Sequence, residues 1–170
     1  MDLRHWSALV LPRLRGVGGV CATLAAVGDV ACGGWGASMK KTGILHADLS
    51  RLIASMGHGE SLVIGDAGLP APPGVPVIDL ALCEGVPTFL ETLEVVLREF
   101  HVERAIIDDE MATVSPAMRT AFDAAWPDDV PFETVPHADL QVAARDAKAM
   151  VRTGEFTPYS NIILIAGVVF

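Results

Sequence analysis

Two patterns of apolar residues alternate along most of this chain. Apolar positions spaced i, i+3, i+4 and i+7 are typical of a helix with one buried face, whereas a short unbroken apolar run is typical of a buried strand. The first pattern predicts helices over residues 49–56, 89–100, 116–126 and 138–152. The second predicts strands over residues 61–64, 77–80, 105–107, 132–135 and 161–166, with 168–170 as a candidate for a further strand.

The order of these elements predicts the fold class. Ser115 and Pro116 are typical of an N-cap followed by proline at the first helical position, and Gly154 is predicted to close the helix that begins near residue 138. Helices and strands alternate, which predicts a single α/β domain with a largely parallel sheet covered by helices on both faces. Ligands of such sheets bind beyond the carboxyl ends of the strands.

Residues 1–38 do not share the pattern. They contain seven glycines, and no helical or strand period runs through residues 16–38. Three interpretations stay open: a start codon set too early, with Met39 as the true start, a disordered extension, or a targeting segment. Asp29 argues against the last, because it lies just before the only candidate cleavage region, near Cys32. We expect an N-terminal extension over residues 1–38 and one domain over residues 39–170.

Composition narrows the classes of function. The chain has 170 residues, 51% of them hydrophobic, and no apolar run of about 20 residues that would span a bilayer. A net charge of −9 with scattered Lys and Arg disfavours nucleic-acid binding. The mean hydropathy of +0.43 is high for a small monomer and favours a homo-oligomer. Cys21, Cys32 and Cys83 have no zinc or CxxC spacing and are typical of reduced thiols.

Candidate chemical groups lie near the predicted element ends. Phosphate-binding, zinc-protease and nucleophile-elbow motifs are absent from the sequence. His58 is either a solvated turn residue or a general acid/base, because histidine titrates near neutral pH. Asp66 either caps loop amides or binds hydroxyl groups. His137 either helps to open its helix or contacts a ligand.

Two polar segments carry further alternatives. Tyr159, Ser160 and Asn161 precede the last strand and form either a turn or a sugar-binding segment, since Asn both donates and accepts hydrogen bonds and Tyr offers a flat face. The Asp-Asp-Glu run at residues 108–110 resembles a metal cluster. A solvated acidic turn is the favoured interpretation, because no histidine stands at ligand spacing.

Five further segments occur in an order that is known from one enzyme family. They are Met-Gly-His-Gly-Glu at 56–60, Gly-Asp-Ala-Gly-Leu-Pro at 65–70, Ile-Asp-Leu-Ala-Leu at 78–82, Gly-Val-Pro-Thr-Phe at 85–89, and the run from Arg-Thr-Gly-Glu to Ala-Gly-Val over 152–168. Over residues 39–170 the chain resembles the D-ribose pyranase family and its sister group, the L-fucose mutarotases. Asp-Ala-Gly-Leu-Pro and Pro-Tyr-Ser-Asn look like the ribose branch.

The resemblance implies a function and a set of site residues. It implies an isomerase that interconverts the pyranose and furanose forms of D-ribose, cytoplasmic, without metal or cofactor, and assembled as a homo-oligomer, commonly a decamer, with sites near subunit contacts. It assigns proton donation to His58 and substrate binding to Asp66, His137, Tyr159, Ser160 and Asn161. An L-fucose mutarotase and a non-catalytic sugar-binding module remain alternatives.

Overall fold

Six strands form one sheet in the computed structural model, which describes residues 40–170. The expectation for residues 1–38 lies outside the described residues. The strands are β1 (Ser61–Gly65), β2 (Val77–Asp79), β3 (Val102–Asp108), β4 (Phe132–Val135), β5 (Ala149–Arg152) and β6 (Ile162–Ala166), in the spatial order β2-β5-β1-β6-β3-β4. The β2–β5, β5–β1 and β3–β4 pairs are parallel, and β6 runs antiparallel to β1 and β3. The predicted α/β domain with a largely parallel sheet is confirmed.

Helices cover both faces of this sheet. They are α1 (Ala47–Ala54), α2 (Phe89–Leu97), α3 (Glu110–Val114), α4 (Pro116–Ala125) and α5 (His137–Ala143), the last followed by a 3-10 turn at Ala144–Asp146. Along β1, Leu62 and Ile64 pack in the core that includes residues of α1, α2 and α4, whereas Val63 packs in the core that includes Leu140 of α5. Because both faces of β1 are buried, an unbroken apolar run is the sequence that this position requires.

The helix predicted over residues 138–152 is wrong beyond Ala143. The chain leaves the helical conformation at Ala147 and forms β5 between β1 and β2. The residues of β5 alternate between the two cores, with Val151 on one face and Met150 on the other. Alanine and methionine favour helices in isolation, but pairing with two strands and burial on both faces decide the conformation here.

Gly154 therefore does not close a helix. It follows β5 at a point where the backbone passes close to another loop, and a Cβ on this residue would lie 2.5 Å from the carbonyl oxygen of Cys83 and 2.4 Å from that of Val86. Glycine is required here by this close approach, not by a helix terminus.

Two smaller expectations also need correction, and one helix was missed. Ser115 stands before α4 as predicted, but its hydroxyl donates to the Pro158 carbonyl at 2.8 Å and does not cap the helix. The short helix α3 was not predicted. Residues 168–170 lie outside the sheet.

Among the residues that the structure describes, no helix is long and apolar enough to cross a membrane.

Candidate functional site

Three buried polar side chains from distant parts of the chain meet at one edge of the sheet. The carboxyl ends of β1, β3 and β5 lie at this edge, and the antiparallel β6 begins there, as the pairing of Ile162 with both Ile64 and Ile107 demonstrates. Asp66 follows β1, Asp108 ends β3, and Asn161 directly precedes β6. The sheet thus brings together residues that are up to 95 positions apart in the sequence.

Asp108 and Asn161 form a buried hydrogen-bonded pair at the centre of the edge. Asn161 Nδ2 donates to Asp108 Oδ2 at 2.8 Å, and Asn161 Oδ1 accepts from the Asp66 amide at 3.0 Å. Both side chains are buried, Asp108 completely. Burial raises the pKa of Asp108, and hydrogen bonds from Asn161 and His137 oppose this shift.

This burial corrects the favoured interpretation of residues 108–110. A solvated acidic turn describes Asp109, which is exposed, but not Asp108. Glu110 accepts hydrogen bonds from the His137 amide at 2.9 and 3.2 Å. Asp66 and residues 108–110 both stand at the ends of predicted strands, and this position was the signal in the sequence that marked Asp108 as a candidate for the site.

His137 lies beside this pair at the start of α5. Its Nδ1 is 3.0 Å from Asp108 Oδ1, and its Nε2 is 2.9 Å from Gln141 Nε2, one turn along the helix. The ring is about one-quarter exposed and lines a pocket. The Glu110 carboxylate holds the backbone amide of His137, and Asp108 and Gln141 each contact one nitrogen of its ring. Both the backbone and the imidazole of His137 are therefore held in place.

Asp66 forms another wall of the pocket. Its Oδ1 accepts from the Gly68 amide at 2.9 Å, so that it caps the loop after β1 as well as facing the pocket. Burial raises the pKa of Asp66, and hydrogen bonds from the amides of Gly68, Leu69 and Ser160 oppose the shift. Both interpretations of Asp66 from the sequence, amide capping and a place in the site, fit this position.

Tyr159 lies against His137. The two rings are 5.2 Å apart at 86°, an edge-to-face contact. The backbone of Tyr159 has φ +62°, a conformation that costs a residue other than glycine about 1 kcal/mol or more and that is enriched at functional sites. Ser160 is buried, and its hydroxyl donates to the Thr157 carbonyl at 2.8 Å. The Ser160 side chain thus supports the turn, and its amide faces Asp66.

The pocket has a volume of about 460 Å³. Asp66, His137 and Tyr159 line it together with Glu155, Phe156 and Pro158, which the sequence did not single out as site residues. Phe156 is 62% exposed at the rim, where the structure leaves an apolar surface beside polar groups. The arrangement of carboxylate, imidazole and aromatic ring suits a small ligand that is rich in hydroxyl groups.

His58 is not part of this pocket. It lies before β1, where Gly59 bonds to Ala166, whereas Asp66 lies after β1. With a rise of roughly 3.3 Å per residue, the strand between them separates the two sheet edges by about 13 Å. His58 is exposed, and its Nε2 is 2.8 Å from Glu103 Oε2. Within one chain the structure places five of the six predicted site residues at one edge and His58 at the other.

Metal-ligating side chains are not clustered in the described part of the chain: residues 40–170 contain no group of three or more His, Cys, Asp or Glu placed to hold an ion. Cys83 is exposed and free.

Comparison with known proteins identifies close relatives. The family model described as "RbsD / FucU transport protein family" matches residues 39–169. A D-ribose pyranase of Chloroflexus aggregans is 54% identical over 132 residues, which cover 78% of this chain and all of the relative. The structure of Bacillus subtilis RbsD complexed with D-ribose superposes with a TM-score of 0.74 and 42% identity, over 78% of this chain and 100% of that one.

A more distant relative is the fucose mutarotase of Streptococcus pneumoniae in complex with L-fucose. It is 26% identical, with a TM-score of 0.58, over 73% of this chain and 94% of that one.

Proposed function

The chain belongs to the RbsD / FucU transport protein family, and from this membership we propose that it is an isomerase that interconverts the pyranose and furanose ring forms of D-ribose. The observation that carries the proposal is the likeness to RbsD complexed with D-ribose, at 42% identity over the whole of that chain. The likeness to the fucose mutarotase is weaker, at 26% identity, and makes L-fucose mutarotation the second candidate.

The pocket supports a sugar as ligand. Asp66 can accept hydrogen bonds from hydroxyl groups, His137 can accept or donate them, and the ring of Tyr159 gives an apolar face for the C–H side of a sugar ring. Asn161 and Ser160 support the pocket from inside the fold, since the buried Asn161 amide is engaged by Asp66 and Asp108 at its two ends and the buried Ser160 hydroxyl bonds to Thr157. We assign sugar binding to Asp66, His137 and Tyr159 by direct contact, and to Ser160 and Asn161 through the positions that they give these three side chains.

The reaction itself needs two proton transfers. Opening the pyranose breaks the bond between C1 and the ring oxygen, which takes up a proton, while the anomeric hydroxyl loses one. Closing on another hydroxyl reverses both transfers. Groups that donate and accept near pH 7 suit this chemistry, and we assign the donor role to His58. Asp66 and His137 are the candidates for the second proton.

The distance between His58 and the pocket leads to a second copy of the chain. Because His58 and Asp66 lie at opposite ends of β1, His58 is too far from the pocket of its own chain to contact a sugar there. In an assembly, His58 of one subunit can reach a sugar in the pocket of a neighbouring subunit. The exposed apolar side chains of Val169 and Phe170, in the same groove as His58, favour burial by a partner. We propose a homo-oligomer, a decamer, with each site completed by a neighbouring subunit.

Two further proposals concern the setting of the enzyme. Cys83 has an exposed free thiol, which suits a reducing compartment. We propose that the enzyme works in the cytoplasm. We also propose that residues 39–170 are sufficient for activity, because the family match spans residues 39–169. A protein that begins at Met39 is expected to retain the turnover of the full chain, and a loss of turnover would assign a role to residues 1–38.

The test is NMR exchange spectroscopy on D-ribose with the full chain. We expect protein-dependent exchange between pyranose and furanose signals, and its loss in His58→Ala. The matched control is His46→Asn, because His46 is an exposed histidine at the N-cap of α1, outside both the pocket and the groove of His58, and asparagine keeps a capping acceptor. This variant should exchange ribose as the parent does.

The other outcomes separate the alternatives. Exchange of L-fucose anomers without exchange of ribose ring forms would replace the proposal by L-fucose mutarotation. Binding of ribose without exchange, unchanged in His58→Ala, would establish a non-catalytic sugar-binding module instead.

A further inference from the structure

We propose that Asp108 is a positioning residue that holds His137 in the tautomer with its proton on Nδ1, so that Nε2 of His137 takes the proton of the anomeric hydroxyl. This inference deepens the proposed function and rests on it. It assigns the second proton carrier of the reaction, which the pocket alone leaves open between Asp66 and His137.

The contacts around Asp108 fix the direction of each hydrogen bond. The Asn161 amide is oriented by the Asp66 N–H, which donates to Asn161 Oδ1 at 3.0 Å, so its NH₂ group faces Asp108 Oδ2 at 2.8 Å. The other oxygen of Asp108 faces His137 Nδ1 at 3.0 Å. An ionised carboxylate only accepts hydrogen bonds, and Nδ1 must therefore carry the proton in the neutral ring.

The contact of Gln141 with the other ring nitrogen of His137 fits the same tautomer. Its Nε2 amide group, a donor, lies 2.9 Å from Nε2 of His137. A donor at this distance requires an unprotonated ring nitrogen. Nε2 is thus the accepting atom, and a sugar hydroxyl that takes the place of the Gln141 amide meets a lone pair.

Asp66 is the weaker candidate for the second proton. Its carboxylate already faces three backbone amides, those of Gly68, Leu69 and Ser160. Although burial raises the pKa of Asp66, these amides occupy most of the lone pairs with which its carboxylate could take up a proton. Asp66 is therefore suited to hold a hydroxyl, whereas the lone pair on Nε2 of His137 faces only the Gln141 side chain while Nδ1–H stays bonded to Asp108.

The protons balance over the full cycle. The anomeric hydroxyl gives its proton to His137 Nε2 as the bond between C1 and the ring oxygen breaks, and the ring oxygen takes its electron pair and a proton from His58. A different hydroxyl then attacks C1 and returns a proton to His58. The carbonyl oxygen takes back the proton from His137, and both histidines end as they began.

The test reads the tautomer directly. In full-length protein with ¹⁵N-labelled histidine, we expect the ring of His137, assigned by its loss in His137→Gln, to carry its proton on Nδ1. In Asp108→Asn the side chain keeps its shape, and its amide must accept from Asn161 and donate to Nδ1 of His137. We therefore expect the proton to move to Nε2, and kcat for ribose exchange to fall at least about tenfold with little change in KM.

Asp139→Asn is the matched control. Like Asp108→Asn, it removes one carboxylate charge, but at an exposed position in the first turn of α5. It should keep both the tautomer and the turnover of the parent. An Nε2–H tautomer in the parent protein would overturn the inference, whether or not Asp108→Asn folds. So would an Asp108→Asn variant with unchanged tautomer and kcat. A parent protein with the Nδ1–H tautomer but no ribose exchange would instead overturn the proposed function.

Discussion

The side chains at the site each make more than one contact, and this limits which substitutions they tolerate. Asn161 uses its oxygen for the Asp66 amide and its NH₂ group for the Asp108 carboxylate. No other side chain of this length presents a donor and an acceptor in one plane. Tyr159 is held with φ +62° in a turn whose buried Ser160 hydroxyl bonds to Thr157. The local conformation and the hydrogen bonds of the site are therefore fixed together.

Asn161→Asp should make stability strongly dependent on pH. The change places two buried carboxyl groups where an amide met a carboxylate at 2.8 Å, and we expect the free energy of unfolding to fall by about 2–4 kcal/mol at pH 7. Burial already raises the pKa of Asp108, and a carboxylate beside it raises that pKa further. A group with a raised pKa stabilises the fold below its unfolded pKa, near 3.8, and loses this effect as the pH rises through its folded pKa. The deficit should therefore shrink towards pH 4.

Urea unfolding of parent and variant at pH 7 and pH 4.5 measures this difference. The double variant Asp108→Asn/Asn161→Asp exchanges donor and acceptor across the same contact and should recover most of the loss at pH 7. Equal deficits at the two pH values, with no recovery in the double variant, would show that the contact does not control stability.

The helices depend on residues that lie outside them in sequence. At the start of α2, Thr88 and Glu91 form a capping box, and Glu155, from the loop after β5, accepts from the Phe89 amide at 3.3 Å. Burial alone would raise the pKa of Glu155, but the hydrogen bonds from Thr157, Phe89 and Phe156 lower it. This carboxylate therefore joins the N-terminus of α2 to the loop that forms one wall of the pocket.

Glu155→Gln should reduce stability at neutral pH more than at acid pH. A carboxyl whose folded pKa is lowered stabilises the fold above its unfolded pKa, near 4.5, and the effect is lost as the pH falls through the folded value. We expect a loss of about 1–2 kcal/mol at pH 7 that becomes smaller below pH 4. Chemical unfolding across this range measures it, with the exposed Glu84→Gln as the control. A deficit that is the same at all pH values would contradict the argument.

Gly154→Ala should disturb the loop after β5. The new methyl group would meet two backbone carbonyls, of Cys83 and Val86, within 2.5 Å, and backbone atoms yield less easily than a side-chain end. We expect a loss of about 1–3 kcal/mol in the free energy of unfolding. Gly57→Ala is the control, since its Cβ would meet only the Glu60 carboxyl group at 3.7 Å or more. Similar unfolding midpoints for the two variants would contradict the close approach inferred here.

At the scale of the whole molecule, the sheet separates the proposed acid from the proposed binding residues. β1 connects the two edges, with His58 before it and Asp66 after it. His58 is held outside the pocket by Glu103 and by the bond from Gly59 to Ala166. A single copy of the chain thus holds two incomplete halves of the proposed site, and the reaction belongs to the assembly.

Two inactive variants should therefore restore activity to each other. His58→Ala and His137→Gln, unfolded and refolded as an equal mixture, should form assemblies in which about a quarter of the sites combine His58 of a His137→Gln subunit with His137 of a His58→Ala subunit. Ribose exchange by NMR should recover to about that fraction of the parent rate. Each variant refolded alone is the control. A mixture as inactive as its components would show that both histidines serve a site within one chain.

The fold class, the family and most of the strands can be predicted from the sequence alone. The pattern of apolar residues allows this because strands such as β1, buried on both faces, need continuous apolar runs, and the motifs around His58, Asp66 and Tyr159 resemble those of one family. The strand β5 was not predicted because its alanine, methionine and arginine residues favour a helix locally, and only pairing with both β1 and β2 makes it a strand.

The contacts among the polar residues, in contrast, depend on the three-dimensional arrangement of the strands. The sequence pattern at residues 108–110 was typical of a solvated turn, yet the sheet buries Asp108 between His137 and Asn161, 29 and 53 positions away. The position of His58 at the opposite edge is likewise a consequence of strand direction. Contacts between distant residues are set by the order and direction of the strands in the sheet, which the local pattern of the chain does not encode.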